Sequence, residues 1–240
     1  MIVKSNGIII NTIKYSESSI ICKVFTEEHG ILSFIIRGVR SSNKKEKAGL
    51  FQPLNIIEIV FLLQENKNLL YLKEYRAAYN YQYMPYQFGR SSYGLFLLEI
   101  LNKTMLIERE PNTEKFKFLF NALMYLDNTE KVSANFHLSF MIKYITHIGF
   151  EMEIDEKVQY FDLQSGHATD LTPNHPYFIQ GQEKNICYQL KQFQFEELHA
   201  ISLNKDLRSI LLKHLEYFYK FHVENFSAMK SPEIIAELYA

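Results

Sequence analysis

The chain of 240 residues has room for one large domain or two smaller ones. At 47% hydrophobic and 22% charged residues its composition is globular and argues against intrinsic disorder. The formal net charge of -1, from 26 Lys and Arg against 27 Asp and Glu, carries no polyanion-binding signature in the total.

The first eighty residues read as strands, because β-branched runs are separated by short turn-forming groups and show no helical stripe. Five segments are predicted, at about 4–15, 19–26, 30–37, 54–63 and 69–79. Glu27-Glu28-His29-Gly30 is a tight connection and Gln64-Glu65-Asn66-Lys67-Asn68 has hairpin character, which makes successive strands antiparallel neighbours. Five short strands in about eighty residues suggest a small barrel of the oligonucleotide/oligosaccharide-binding (OB) type.

Splitting the chain after Asn80 resolves the charge. The first part carries eleven Lys and Arg against seven Asp and Glu, a surplus of four; the remaining 160 residues carry fifteen against twenty. Arg37, Arg40, Lys44, Lys45 and Lys47 lie within eleven residues and face only Glu46. Their connection also holds Gly38, Ser41, Ser42, Asn43 and Gly49, which keep a backbone exposed. Long cations on such a loop bind successive phosphates with salt-dependent affinity that is largely indifferent to sequence. A solvated loop tip without a partner has the same composition. Among the aromatics, Tyr15 and Phe51 are the candidates for stacking unpaired bases, with most of the 19 Phe and 16 Tyr assigned to the core.

From Phe88 the period changes. Tyr93, Phe96, Leu97, Ile100 and Leu101, then Phe116, Leu119, Phe120 and Leu123, then Phe136, Phe140, Tyr144 and Ile148 recur at spacings of three and four, predicting three amphipathic helices. Gly149 stands where a left-handed cap would end the third. Residues 150–191 turn irregular, with Gly166, Pro173, Pro176 and Gly181, and read as a hairpin-bearing excursion from the helical body. A long helix follows at about 206–221. Ser231-Pro232-Glu233 then opens a short final one.

The two cysteines, Cys22 and Cys187, allow one disulfide but neither a disulfide framework nor a four-thiolate zinc site. Cys22, among Ile20, Ile21 and Val24, reads as a small core residue. His167 and His175 are too loosely spaced for a metal site with Cys187, and His137 and His147 on one helix read as structural. No Gly-rich phosphate loop, H-E-x-x-H, G-x-S-x-G or paired C-x-x-C occurs, so an enzyme is not expected. The amino terminus lacks a signal-peptide core, and no apolar run approaches the ~20 residues that span a bilayer. The expectation is a cytoplasmic protein with no membrane contact.

Tyr15-Ser16-Glu17-Ser18-Ser19, Phe25-Thr26-Glu27-Glu28-His29-Gly30, Arg37-Gly38-Val39-Arg40 and Leu50-Phe51-Gln52-Pro53-Leu54 resemble, in order and spacing, the amino-terminal domain of the RecO family of bacterial recombination mediators. Tyr93-Gly94-Leu95-Phe96-Leu97-Leu98-Glu99-Ile100-Leu101 resembles the family's first long helix. His147-Ile148-Gly149-Phe150 is similar to its Leu-Gly-Tyr turn, and Lys230-Ser231-Pro232-Glu233 to its carboxy-terminal Lys-Ser-x-Glu. The resemblance implies an α+β chain, with a five-stranded OB-fold barrel at 1–80 and a helical domain at 81–240. It further implies a non-enzymatic protein without cofactor that binds single- and double-stranded DNA, anneals strands and works with a RecR-type partner. In the family that pair helps load the recombinase onto DNA coated by single-strand-binding protein.

The family's basic loop falls on Arg37 and Arg40, with Lys44, Lys45 and Lys47 close behind. Many relatives carry a four-cysteine zinc module after the Leu-Gly-Tyr turn; here 151–187 holds only Cys187, so no structural zinc is expected. Relatives often begin the preceding helix Arg-Arg-Phe-Glu-Leu, where this chain has Ala134-Asn135-Phe136-His137-Leu138; Arg90, Lys115 and Lys143 are the substitute candidates for contacting the acidic tail of single-strand-binding protein. The alternative reading is an interaction module whose barrel binds a peptide, since one fold hosts several ligand types.

Overall fold

Alternation of apolar and polar side chains along 1–77 puts every second residue on one face of a strand, which is the pattern that closes a small barrel around its own side chains. The structure, a computed structural model, describes residues 1–39, 45–64, 67–105 and 110–237. The strands are β1 (Ile2–Lys14), β2 (Ile20–Thr26), β3 (Gly30–Ile36), β4 (Ile56–Leu62) and β5 (Leu70–Ala77), with a short helix α1 (Lys45–Leu50) between β3 and β4. They form a closed barrel in the order β1-β2-β3-β5-β4, with β4 returning to β1. The five-stranded OB-type barrel is therefore present as expected.

One connection differs from the expectation. β3 and β4 are not neighbours; β3 pairs in parallel with β5 through Phe34–Leu70 and Ile35–Tyr71, while β4 pairs antiparallel with β1. Closing the sheet removes its edges, and that geometry overrides the simple hairpin succession. Val3, Ile9, Cys22, Val24, Phe34, Ile57, Ile59 and Phe61 fill the interior. Cys22 is fully buried, and burial pushes its thiol up to about 11. A Cβ at Gly7 would run into Cγ1 of Val24, so glycine lets β1 and β2 cross closely there.

Local chemistry explains the motifs. Thr26 Oγ1 donates to the carbonyl of Gly30 (2.7 Å) and accepts from the N–H of His29, shaping the turn between β2 and β3. Phe51 is buried against Tyr75, with ring centroids 5.0 Å apart, and its carbonyl accepts from Thr12 Oγ1. Phe51 is thus part of the barrel core and not a base-stacking surface, because the Leu50–Leu54 turn folds the ring inward.

The chain divides into two units, 1–82 with 105–123, and 83–104 with 124–240. In the first, the beginning of α3 (Thr113–Asn128) lies on the barrel: Phe116 meets Phe25 at 5.9 Å, and Thr113 Oγ1 donates to the carbonyl of Glu27.

The second unit is helical. It contains α2 (Phe88–Thr104), α4 (Phe136–Tyr144), α5 (Gly181–Gln192), α6 (Lys205–His222) and α7 (Ser231–Glu237), with 3-10 turns at Ile145–Ile148 and Phe195–Ala200. α4 is not amphipathic, as its spacing suggested, but buried almost all round, with only Lys143 partly exposed. Tyr93 and Phe195 pack on Phe136, Ser139 Oγ donates to the carbonyl of Leu190, and Tyr219 Oη donates to that of Met141. Gly149, at φ 93°, ends the segment in the left-handed conformation that glycine adopts without strain.

The irregular excursion is shorter than its predicted 150–191. Strands β6 (Tyr160–Asp162), β7 (Ala168–Thr169) and β8 (Phe178–Gln180) form a small antiparallel sheet, and α5 begins directly after β8. The apolar face of α5, Ile186, Cys187 and Leu190, is too narrow to read as a stripe among polar residues. No helix of the described residues is long and apolar enough to cross a membrane.

Candidate nucleic-acid interface

The side chains between those of the barrel core point outward, and the strand registers place them in rows. Ile13 pairs with Ile21, Ile21 with Ile35, and Ile35 with Tyr71, so one continuous row crosses β1, β2, β3 and β5. Its two ends are open: Ile13 is 52% and Tyr71 51% exposed. On one side of this row Lys23 lies between Asn11 and Ser33. On the other side stand Arg37, two residues beyond Ile35, and Lys73, two beyond Tyr71, both exposed. Both cations lie beyond the last β3–β5 pair in the common strand direction, with Lys73 at the register shift between β4 and β5. Tyr15, 59% exposed, follows Ile13 at the same end, where its N–H bonds the carbonyl of Ser19 to close the turn between β1 and β2.

Arg37 is joined to the row. Its guanidinium carbon lies 5.2 Å from the centroid of the Tyr71 ring, and Nη2 donates to Tyr71 Oη at 3.2 Å. Of the other predicted loop cations, Arg40 and Lys44 lie outside the described residues, while Lys45 and Lys47 fall in α1, which follows the loop. Two further cations of the barrel are matched by an acid. Arg76 grips Glu58 in a two-toothed pair (2.7 and 3.0 Å), and Lys4 Nζ reaches the same carboxylate at 3.1 Å. Hydrogen bonds from Arg76, and then from Lys4, hold the Glu58 carboxyl below its usual range.

Of the three candidate partner-contact residues, Arg90 and Lys115 are buried and Lys143 is partly exposed. Arg90 is buried and donates to the carbonyls of Leu126, Asp127 and Glu130, tying off the end of α3. Lys115 is buried in the barrel unit. Lys143 Nζ donates to the carbonyl of Lys191, and burial lowers its pKa. A sequence shows charge but not whether backbone carbonyls surround it.

Two histidines of the second unit are paired with carboxylates. His167 pairs with Glu153 and His175 with Asp162, and no group of three metal-ligating side chains occurs among the described residues. Both thiols are free and buried, and Cys187 is pushed up to about 12 by burial. Tyr71 and the three isoleucines have no sequence signature as a site. Their only signal is alternation within separate strands, and register alone joins them.

Comparison with known proteins agrees with this architecture. The family model for the amino-terminal part of recombination protein O matches residues 1–81, and that for its carboxy-terminal part matches 85–232. DNA repair protein RecO of Christiangramia forsetii is 32% identical over 241 residues, covering all of both chains, and that of Flavobacterium psychrophilum is 32% identical over 247. The Bacteroides fragilis protein of the same name is 30% identical over 242, again across both full chains. Two adjoining family models that together span nearly the whole chain, and relatives matched over their full length, establish that this chain belongs to the RecO family of DNA repair proteins.

Proposed function

We propose that the chain is a recombination mediator whose barrel holds DNA on the outer face of β1, β2, β3 and β5 and on the basic connection after β3. Arg37 and Lys73 beside an aromatic–aliphatic row that is open at its two ends, Ile13 and Tyr71, carry this reading, because that combination suits a sugar–phosphate chain with bases turned toward the protein. Arg40, Lys44, Lys45 and Lys47 extend the cationic track in sequence. Neutralising the phosphates of two strands lowers their mutual repulsion, which is the physical requirement for annealing. Phosphate contacts do not distinguish strand number, so single- and double-stranded DNA both bind. Membership of the RecO family supports a role beside a RecR-type partner in handing DNA from single-strand-binding protein to a recombinase.

The test replaces Arg37, Arg40, Lys44 and Lys45 together by alanine. At moderate salt the variant binds a labelled oligonucleotide at least tenfold more weakly than the parent, since each phosphate contact contributes to a steep salt dependence, and its annealing of complementary strands slows in parallel. Unchanged binding removes the basic connection from the interface.

A further inference from the structure

Resting on the reading of the barrel as a DNA-binding face, we infer that the Tyr71 ring is a seat for one unpaired base, flanked in the free protein by Arg37, which moves to a phosphate when the strand arrives. Tyr71 is an aromatic ring left half exposed on a sheet whose neighbouring row positions are apolar. A planar guanidinium lies on it at 5.2 Å, held by one hydrogen bond to the phenol oxygen. An exposed cation–π contact is weak, whereas a guanidinium and a phosphate oxygen form a charge-assisted and often two-toothed pair. A phosphate beside β3 therefore draws Arg37 away, and the exposed ring beside it is taken by the base attached to that backbone.

The rest of the row supports the same geometry. Strands lie about 4.8 Å apart, so Ile13, Ile21, Ile35 and Tyr71 span roughly 14 Å, with the two ends exposed and Ile35 buried between them. Lys23 lies on one side of the row, with Arg37 and Lys73 on the other, placing cations where a backbone would pass. Paired bases keep their faces inside a duplex and cannot enter such a seat. The cationic contacts thus serve either form of DNA, and the Tyr71 seat favours the single strand.

The chain contains no tryptophan, so Tyr71→Trp installs a lone indole at the seat, whose emission is excited apart from that of the tyrosines. A dye-labelled oligothymidylate and a closed hairpin duplex, followed by anisotropy, report binding, while tryptophan emission reports stacking. The expected result is quenching by the oligothymidylate and none by the hairpin at equal saturation. Tyr71→Ala weakens single-strand binding roughly tenfold, the loss of one stacked base, and changes hairpin binding less than about twofold. Tyr71→Phe keeps the ring, removes its hydrogen bond to Arg37 and binds the single strand at least as well as the parent. Single-strand binding without quenching, or a Tyr71→Phe loss equal to that of Tyr71→Ala, overturns the seat and leaves the DNA reading intact. A parent protein that binds neither nucleic acid overturns both.

Discussion

At Arg90 a cation enters the interior because its surroundings are carbonyl oxygens. Four residues around the end of α3 and the start of α2 share its guanidinium: Gln87, Leu126, Asp127 and Glu130. Asp127 answers from the other side, accepting the N–H groups of Tyr83 and Met84 at 2.8 and 2.7 Å. His137 illustrates the opposite solution, a titratable group kept neutral. Burial, and then the nearby Arg208 charge, push its pKa down to about 3, against the opposing pull of the Ala134 carbonyl. In the unfolded chain this histidine takes up a proton near pH 6.5, while the folded protein refuses it until about pH 3. The unfolded state therefore binds more protons within that window, and stability falls as pH is lowered through it, by at most about 1.4 kcal/mol per unit from this group. Urea unfolding at a series of pH values between about 7 and 4 checks this: His137→Gln shows a shallower decline than the parent. Parallel curves for the two proteins show instead that His137 protonates alike in both states.

Elements are held by single side chains that join distant parts of the sequence. The carboxylate of Glu99 on α2 accepts from the N–H groups of Lys230 and Ser231 and from Ser231 Oγ, at 2.6–3.0 Å. It thereby fastens the start of α7, which gives the Lys230-Ser231-Pro232-Glu233 motif a physical role. In the small β6–β8 sheet Asp162 acts in a similar way. Its Oδ1 accepts from the N–H of Gln164 at 2.7 Å and of Ser165 at 3.3 Å, and Oδ2 lies 3.5 Å from His175 Nε2. Burial works to raise the Asp162 pKa, but those N–H groups outweigh it and hold the carboxyl below its ordinary value. Tyr160 packs edge-on against Phe178, and Phe161 lies on Phe218, so ring packing supplies the rest of the cohesion. Asp162→Ala is expected to cost about 1–2 kcal/mol, the value of backbone donors left without their acceptor. Treatment with EDTA is expected to leave the melting temperature unchanged. Thermal unfolding measures both effects, and a drop on chelation would reveal a metal in this sheet.

Across the whole molecule, local charge decides more than the net value. The surplus of four in the first eighty residues is not uniformly available, because Lys4 and Arg76 converge on Glu58 while Arg37 and Lys73 stand on the open face. Salt titration separates the two groups. For single strands the slope of log K against log salt changes by about 0.7 for each phosphate that the protein ceases to neutralise. Arg37→Ala is expected to flatten the slope by that amount, whereas Lys4→Ala and Arg76→Ala leave it where it was. A flattening of equal size at Arg76 would place the strand on the β4 side of the barrel instead.

By itself the sequence determined the five strands, the helical periodicity after Phe88, the Gly149 cap and the basic connection, since each is a local pattern of spacing, turn chemistry or charge. It also carried the family, through motifs in fixed order. Where an element's identity depended on what surrounds it, local pattern was insufficient: α4 is enclosed on all sides, α5 has too few apolar residues to show a stripe, and Phe51 turns inward. Tertiary structure alone paired β3 with β5, brought Tyr71 beside Ile35 and under Arg37, and set Arg76 against Glu58. Those contacts join residues tens of positions apart through strand register and barrel closure, and neither is written into any short stretch of chain.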